Sequence, residues 1–275
     1  MNIRKLRALL GALSICATAV GVAATPQYAV VDLGSIDTAG AGLAWLNRQP
    51  FDQQQVVPPA WPGAGPCGSD VSLLGAQFGN VAVGAMCLPG GGDEAAEWTL
   101  SSSGSVSVMP LGFLPGAGVD PGAGVQFSVA FDVNSLGDIV GESNSRYLIP
   151  TKTSGDFAQH GFIYTNGTWT ELIPIAGVNY QSMAEGINDS REVVGQTDTI
   201  SSTTGATLNR AFMYVGGMMY NLTFYLVGGP TVLLSDAYGI DCQGNIAAIG
   251  TPAAGGTTHS YLLVRQGAAR TTCPK

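Results

Sequence analysis

The chain has 275 residues, 39 of them glycine, only 11 per cent charged, and a formal charge of −8 at pH 7. A typical globular protein is about 25 per cent charged; the charged helix formers are few here and glycine is abundant, which points to strands and turns rather than a helical bundle. The acidic balance also excludes proteins that work by neutralising nucleic-acid phosphates or anionic membranes.

The first 24 residues read as a cleavable signal peptide. Arg4, Lys5 and Arg7 give a basic start, Ala8 to Ala23 are apolar or small, and Val22-Ala23-Ala24 offers small residues at the cleavage positions. Ile15 directly before Cys16 argues against a lipid anchor there. Cleavage after Ala24 leaves a mature chain that starts at Thr25, with 8 Lys+Arg against 19 Asp+Glu and a formal charge of −11. The expected location is the periplasm or the exterior. No further apolar stretch reaches the ~20 residues of a membrane-spanning helix, so no membrane span is expected.

Four cysteines remain after cleavage: Cys67, Cys87, Cys242 and Cys273. In an exported protein an even number points to disulfides, and four cysteines allow three pairings. Proximity in sequence favours Cys67–Cys87 and Cys242–Cys273. No CxxC pair and no neighbouring histidine supports a metal site.

An orphan strand opens the mature chain at Tyr28-Ala-Val-Val-Asp-Leu-Gly34. A degenerate repeat follows, with strands expected at Leu43–Asn47, Asn80–Gly84, Ala96–Leu100 and Val106–Gly112. A Pro/Gly-rich insertion at about 49–79 carries Trp61 and reads as a loop. An exposed aromatic there suits stacking on a sugar ring or a partner surface.

The repeat itself is plain from residue 128 onward. Ser128-Val-Ala-Phe-Asp-Val-Asn134, Ser182-Met-Ala-Glu-Gly-Ile-Asn188 and Ser235-Asp-Ala-Tyr-Gly-Ile-Asp241 share one frame, with starts 54 and 53 residues apart. Each frame ends in an Asn or Asp, then a turn, then a short apolar strand ending near Gly141, Gly195 or Ala248. The turn has Gly137 and Gly244 in two copies but Arg191 in the other. A third strand recurs at His160–Tyr164, Arg210–Tyr214 and His259–Leu263, and a fourth at Thr168–Leu172 and Met218–Leu222. Alternation of period two and the absence of helical periodicity make each repeat four strands. Trp98, Phe162, Phe212 and Tyr261 align as the aromatic core position of the third strand. The last repeat lacks a fourth strand, and the orphan strand at the N-terminus supplies one. The expected fold is all-β: a β-propeller-like ring of about four four-stranded blades in one domain, 25–275, closed by the N-terminal strand. An open β-solenoid or a sandwich is the alternative.

Three strings carry a family resemblance: Tyr28-Ala-Val-Val-Asp-Leu-Gly34, Glu185-Gly-Ile-Asn188 followed by Glu192-Val-Val-Gly195, and His160-Gly-Phe162. In these the chain resembles the bacterial extracellular HAF-repeat family. The name-giving His-Ala-Phe tripeptide appears here as His-Gly-Phe, Arg-Ala-Phe and His-Ser-Tyr. The resemblance implies a secreted repeat protein of β type. It carries over no reaction and no catalytic residue.

Direct chemical signals are few. The mature chain has two histidines, His160 and His259, at equivalent repeat positions, which points to structural polar contacts. Gly-x-Ser-x-Gly elbows, P-loops and dinucleotide fingerprints are absent. Asp132-x-Asn134-x-x-Gly137-Asp138 has the look of a Ca²⁺ loop, but Gly186 and Gly239 replace Asp132 in the other copies, so a hairpin turn is the better reading and no cofactor is expected. Asp132, Glu185, Asp189, Asp236 and Asp241 fall in or beside the first strands. Asp132 and Asp241 are the alternative catalytic pair, an acid and a base for a carbohydrate hydrolase or lyase. The favoured function is a non-enzymatic exported module that binds a glycan or a protein, with a purely structural surface component as a further alternative.

Overall fold

The computed structural model describes residues 26–35, 74–88, 91–119, 125–149 and 156–267. The expected signal peptide at 1–24, Leu43–Asn47, Trp61, Cys67 and Cys273 lie outside the described residues. The described chain forms strands β1 (Tyr28–Ser35), β2 (Leu74–Phe78), β3 (Val81–Cys87), β4 (Asp93–Leu100), β5 (Val106–Gly112), β6 (Ser128–Val133), β7 (Ile139–Leu148) and β8 (Phe157–Thr165). It continues through β9 (Thr168–Leu172), β10 (Ser182–Ile187), β11 (Val193–Ile200), β12 (Thr207–Val215), β13 (Met218–Asn221), β14 (Val232–Ile240), β15 (Ile246–Pro252) and β16 (His259–Arg265). A single 3-10 turn, Leu222–Tyr225, is the only helical element among the described residues.

These strands make four antiparallel sheets of four: β2-β3-β4-β5, β6-β7-β8-β9, β10-β11-β12-β13, and β14-β15-β16 with β1. The orphan N-terminal strand is therefore the fourth strand of the last sheet, from Tyr28 opposite Arg265 to Ser35 opposite His259. One expected strand is corrected. The strand beside β3 is β2 at Leu74–Phe78, not Leu43–Asn47, so the segment expected as a loop to residue 79 ends in a strand. Phe78-Gly79-Asn80-Val81 closes that hairpin in two residues with Gly79 in the left-handed region (φ 58°), a turn signal that sits at the boundary of the assumed loop.

Each frame residue has a structural task. The terminal Asn or Asp holds the turn: Asn134 Oδ1 accepts from the N–H groups of Leu136 and Asp138, Asn188 Oδ1 from Ser190 and Glu192, and Asp241 Oδ1 from Gln243 and Asn245. The leading serine ties a sheet to the one before it. Ser128 Oγ accepts from Ala95 N–H at 2.8 Å and donates to the Gly112 carbonyl at 2.7 Å. Ser182 Oγ repeats this one sheet later, accepting from Gly161 N–H at 3.0 Å and donating to the Leu172 carbonyl at 2.7 Å. Ser235 departs from the rule and bonds within its own sheet to Ile249, while Thr223 takes the N–H of Leu234.

The glycine of the second strand makes room for the aromatic of the third. Gly141 is opposite Phe162 and Gly195 opposite Phe212. A Cβ on Gly141 would stand 1.9 Å from the Val129 carbonyl oxygen and 2.9 Å from the Phe162 ring; on Gly195 it would stand 1.9 Å from the Met183 oxygen and 3.0 Å from the Phe212 ring. Both rings are fully buried. Trp98 does not share their position. Ala82 opposite Trp98 corresponds to Ile139 opposite Tyr164, so Trp98 matches Tyr164, Tyr214 and Leu263, two residues further along the same face.

Three hydrophobic clusters fill three successive seams. One holds Val83, Ala95 and Leu111 of the first sheet with Ile139 and Phe162 of the second. The next holds Val140 and Leu172 with Ala184, Val193 and Phe212. The third holds Met213 and Leu222 with Leu234, Ile246, Tyr261, Leu263 and Tyr28. Trp98, Ala82 and Ala96, on the other face of the first sheet, are buried outside these clusters.

Candidate functional site

Antiparallel pairing slips by one residue at the same place in three repeats. The shift lies between Ala130 and Asp132, between Ala184 and Gly186, and between Ala237 and Gly239. Phe131, Glu185 and Tyr238 are the extra residues. A bulge leaves its residue outside the ladder and re-aims its side chain. Strands β6, β10 and β14 also pack against one another in series, so these bulges lie along one line of contact between sheets. At the β10–β14 approach a Cβ on Gly186 would come 2.9 Å from Gly239 Cα, which explains glycine at position 186.

Four ionisable groups meet along this line: Glu142 on β7, Glu185 on β10, and Asp236 and Tyr238 on β14. Burial pushes the Glu142 carboxyl up to about 7. Glu185 is raised far above the carboxylate range, first by burial and then by the negative charges of Asp236 and Glu142. Asp236 is raised by burial, against which the Ala237 N–H donates to it and the neighbouring Tyr238 hydroxyl pulls the value down. Tyr238 is raised as well, by burial and then by the charges of Asp236 and Glu185. Glu185 and Asp236 therefore titrate as a pair. Asp236 is buried, whereas Tyr238 is 37 per cent exposed.

The other candidate residues are placed as follows. Asp132 is buried and accepts from its own sheet, Val133 N–H, and from the next, Ile187 N–H, each at 2.8 Å. Asp241 holds its turn through Gln243 and Asn245. The two are thus anchored separately, one between sheets and one in a hairpin. Asp138, in the Ca²⁺-like string, accepts from Asn134, Thr165 and Arg191. Asp189 accepts from Ser135 N–H across the seam. His160 is buried between the Glu171 carboxylate at 2.7 Å and the Tyr180 carbonyl at 3.1 Å. His259 meets Asp32 of β1 at 2.8 Å. Cys87 ends β3 and Cys242 sits in the turn after β14, while Cys67 and Cys273 lie outside the described residues. No group of three or more His, Cys, Asp or Glu among the described residues is arranged to hold a metal ion. No helix among them is long and apolar enough to cross a membrane.

Sequence reading picked out Glu185 and Asp236 as first-strand carboxylates but missed Glu142 and Tyr238. Glu142 follows the second-strand glycine, and Tyr238 occupies the frame slot of Glu185, so aligning the repeats column by column would have found the second. No protein-family model, no curated protein and no solved structure matches this chain.

Proposed function

We propose that the chain is an exported repeat protein of HAF type that binds a glycan or a protein and performs no catalysis. Its four sheets form a propeller-like ring. The pairing of β1 with β16 supports closure. Cys67–Cys87 and Cys242–Cys273 are the proposed disulfides, in keeping with export.

The observation that carries the binding reading is the use made of the polar side chains. Asp132, Asp138, Asp241, His160 and His259 are each engaged by protein donors or acceptors. The remaining cluster of Glu142, Glu185, Asp236 and Tyr238 combines carboxyl groups with a partly exposed ring, the chemistry that receives sugar hydroxyls and stacks on a pyranose face. A glycan array probed with residues 25–275 tests this. Binding to a defined glycan set, lost in Tyr238→Ala, is expected, and unchanged binding in that variant removes the assignment.

A second reading has one observation in its favour. Glu185 and Asp236 are neighbouring carboxyl groups in unlike settings, one without a hydrogen bond to a described residue and one with a backbone donor, and such pairs divide into acid and base. Release of new reducing ends from polysaccharide, abolished in Glu185→Gln, would establish a hydrolase. A purely structural surface component would bind no soluble ligand at all.

A further inference from the structure

The last sheet is completed by a strand from the other end of the chain. Strand β1 faces β16 across 237 positions of sequence at Tyr28 and Arg265. Its attachment is substantial. Tyr28 is fully buried in the core shared with the third sheet, and its hydroxyl donates to Met213 Sδ at 3.1 Å. Val30 packs on the same core, while Val31 and Leu33 face outward. At the strand's start Gln266 N–H donates to the Gln27 carbonyl and Val227 N–H to the Tyr28 carbonyl, both at 2.8 Å. At its far end Asp32 meets His259.

We propose that β1 exchanges between copies: the slot beside β16 accepts β1 of a second copy of this chain. Three observations carry this. A second copy supplies the identical strand, so every contact just described is kept, and exchange costs only the difference between intramolecular and intermolecular pairing. The tether permits it. Residues 36–73 separate β1 from β2, and 38 residues span up to roughly 130 Å when extended, against a diameter of about 45 Å for a domain of this size. Chain order favours it. β1 is made first and its partner β16 last, so β1 stays unpaired while three sheets form, and a neighbouring chain at the same stage offers an equivalent slot. Any other protein segment would have to reproduce a buried tyrosine two residues before a β-branched core residue.

Pairing of β1 with its own slot is independent of concentration, whereas pairing with a second copy is bimolecular, so exchange grows with concentration during refolding. Ala29 and Val264 face each other in the pairing register. The test mixes Ala29→Cys and Val264→Cys chains in denaturant, refolds them together at about 1 mM and at about 10 μM, and oxidises them. A covalent heterodimer joined through positions 29 and 264, several-fold more abundant at the higher concentration, is expected. Its absence overturns the proposal when a chain carrying both substitutions cross-links within itself. If that control does not cross-link, the mass of the unsubstituted protein refolded at the two concentrations decides: dimers at the higher one support exchange, and monomers at both refute it. This outcome does not depend on whether the protein binds glycans.

Discussion

Arg191 reaches from the turn of the third sheet to Asp138 in the turn of the second, with Nε 2.8 Å and Nη2 3.2 Å from its carboxylate oxygens. Arg191 also occupies, at φ 59°, the left-handed turn position that Gly137 and Gly244 fill in the neighbouring repeats. A non-glycine residue there costs about 1 kcal/mol, and the two-pronged bond to a buried carboxylate offsets it. Arg265 makes the same kind of bond one sheet later, to Glu192 at 2.8 Å. Arg191→Ala keeps the strain and strips the partner from a buried carboxylate, so a lower urea midpoint is expected. Arg191→Gly removes strain and bond together and should lower the midpoint less.

Asp138 gives this seam an acid limit. Burial pushes its carboxyl up, but the bonds from Arg191, Thr165 and Asn134 outweigh burial and hold it below the usual value. A lowered folded value stabilises the fold above the unfolded value and loses that contribution as pH falls through the folded one. Asp138→Asn should therefore lower stability at pH 7 and narrow the gap to the unsubstituted protein below about pH 4. Denaturant midpoints measured from pH 2 to 7 show the convergence.

The carboxyl cluster has the opposite sign. Glu142 and Glu185 have raised folded values, so their contribution is fully present below the unfolded value of about 4.5 and is lost as pH rises through the folded ones. Glu185→Gln should raise stability by about 1–2 kcal/mol at pH 8 and leave it nearly unchanged at pH 4. Thermal unfolding at both values is the check, and a gain at pH 4 equal to that at pH 8 would count against charge as the cause.

The two serine ties should behave alike and the third should not. Ser128→Ala and Ser182→Ala each strand a buried N–H and a carbonyl, with an expected cost of about 1–3 kcal/mol. Ser235→Ala removes one 3.4 Å bond inside a single sheet and should cost less than about 1 kcal/mol. Equal costs at all three would dismiss the inter-sheet role.

Gly195→Ala is the sharpest packing test. Its Cβ would meet backbone oxygen at 1.9 Å and the Phe212 ring at 3.0 Å, and neither can withdraw without breaking the β10–β11 pairing. A loss above about 3 kcal/mol, or failure to fold, is expected.

The repeat makes most of this fold legible in the sequence. The strands after residue 80, the Asn and Asp turns, and the completion of the last sheet by Tyr28–Ser35 follow from a frame read three times. In the first repeat Leu43-Ala-Trp-Leu-Asn47 shows a more apolar run than Leu74–Phe78, where Leu74 replaces the frame serine and Gly79 the apolar residue before Asn80, and this hides the true first strand. The site was harder to see. Asp132 and Asp241 stand out by type and position, but each is held by backbone donors supplied by the fold. What brings Glu142, Glu185, Asp236 and Tyr238 together is a bulge and the packing of three sheets, and neither leaves a mark on a single repeat.

The most direct test of the proposed function incubates residues 25–275 with a mixed glycan library and reads retention and chain length together by mass spectrometry, beside Tyr238→Ala. Retention of a defined glycan set at unchanged length, lost in Tyr238→Ala, is the expected result. Shortened glycans would contradict it and establish a hydrolase or lyase, and a library left neither retained nor altered would contradict glycan binding outright.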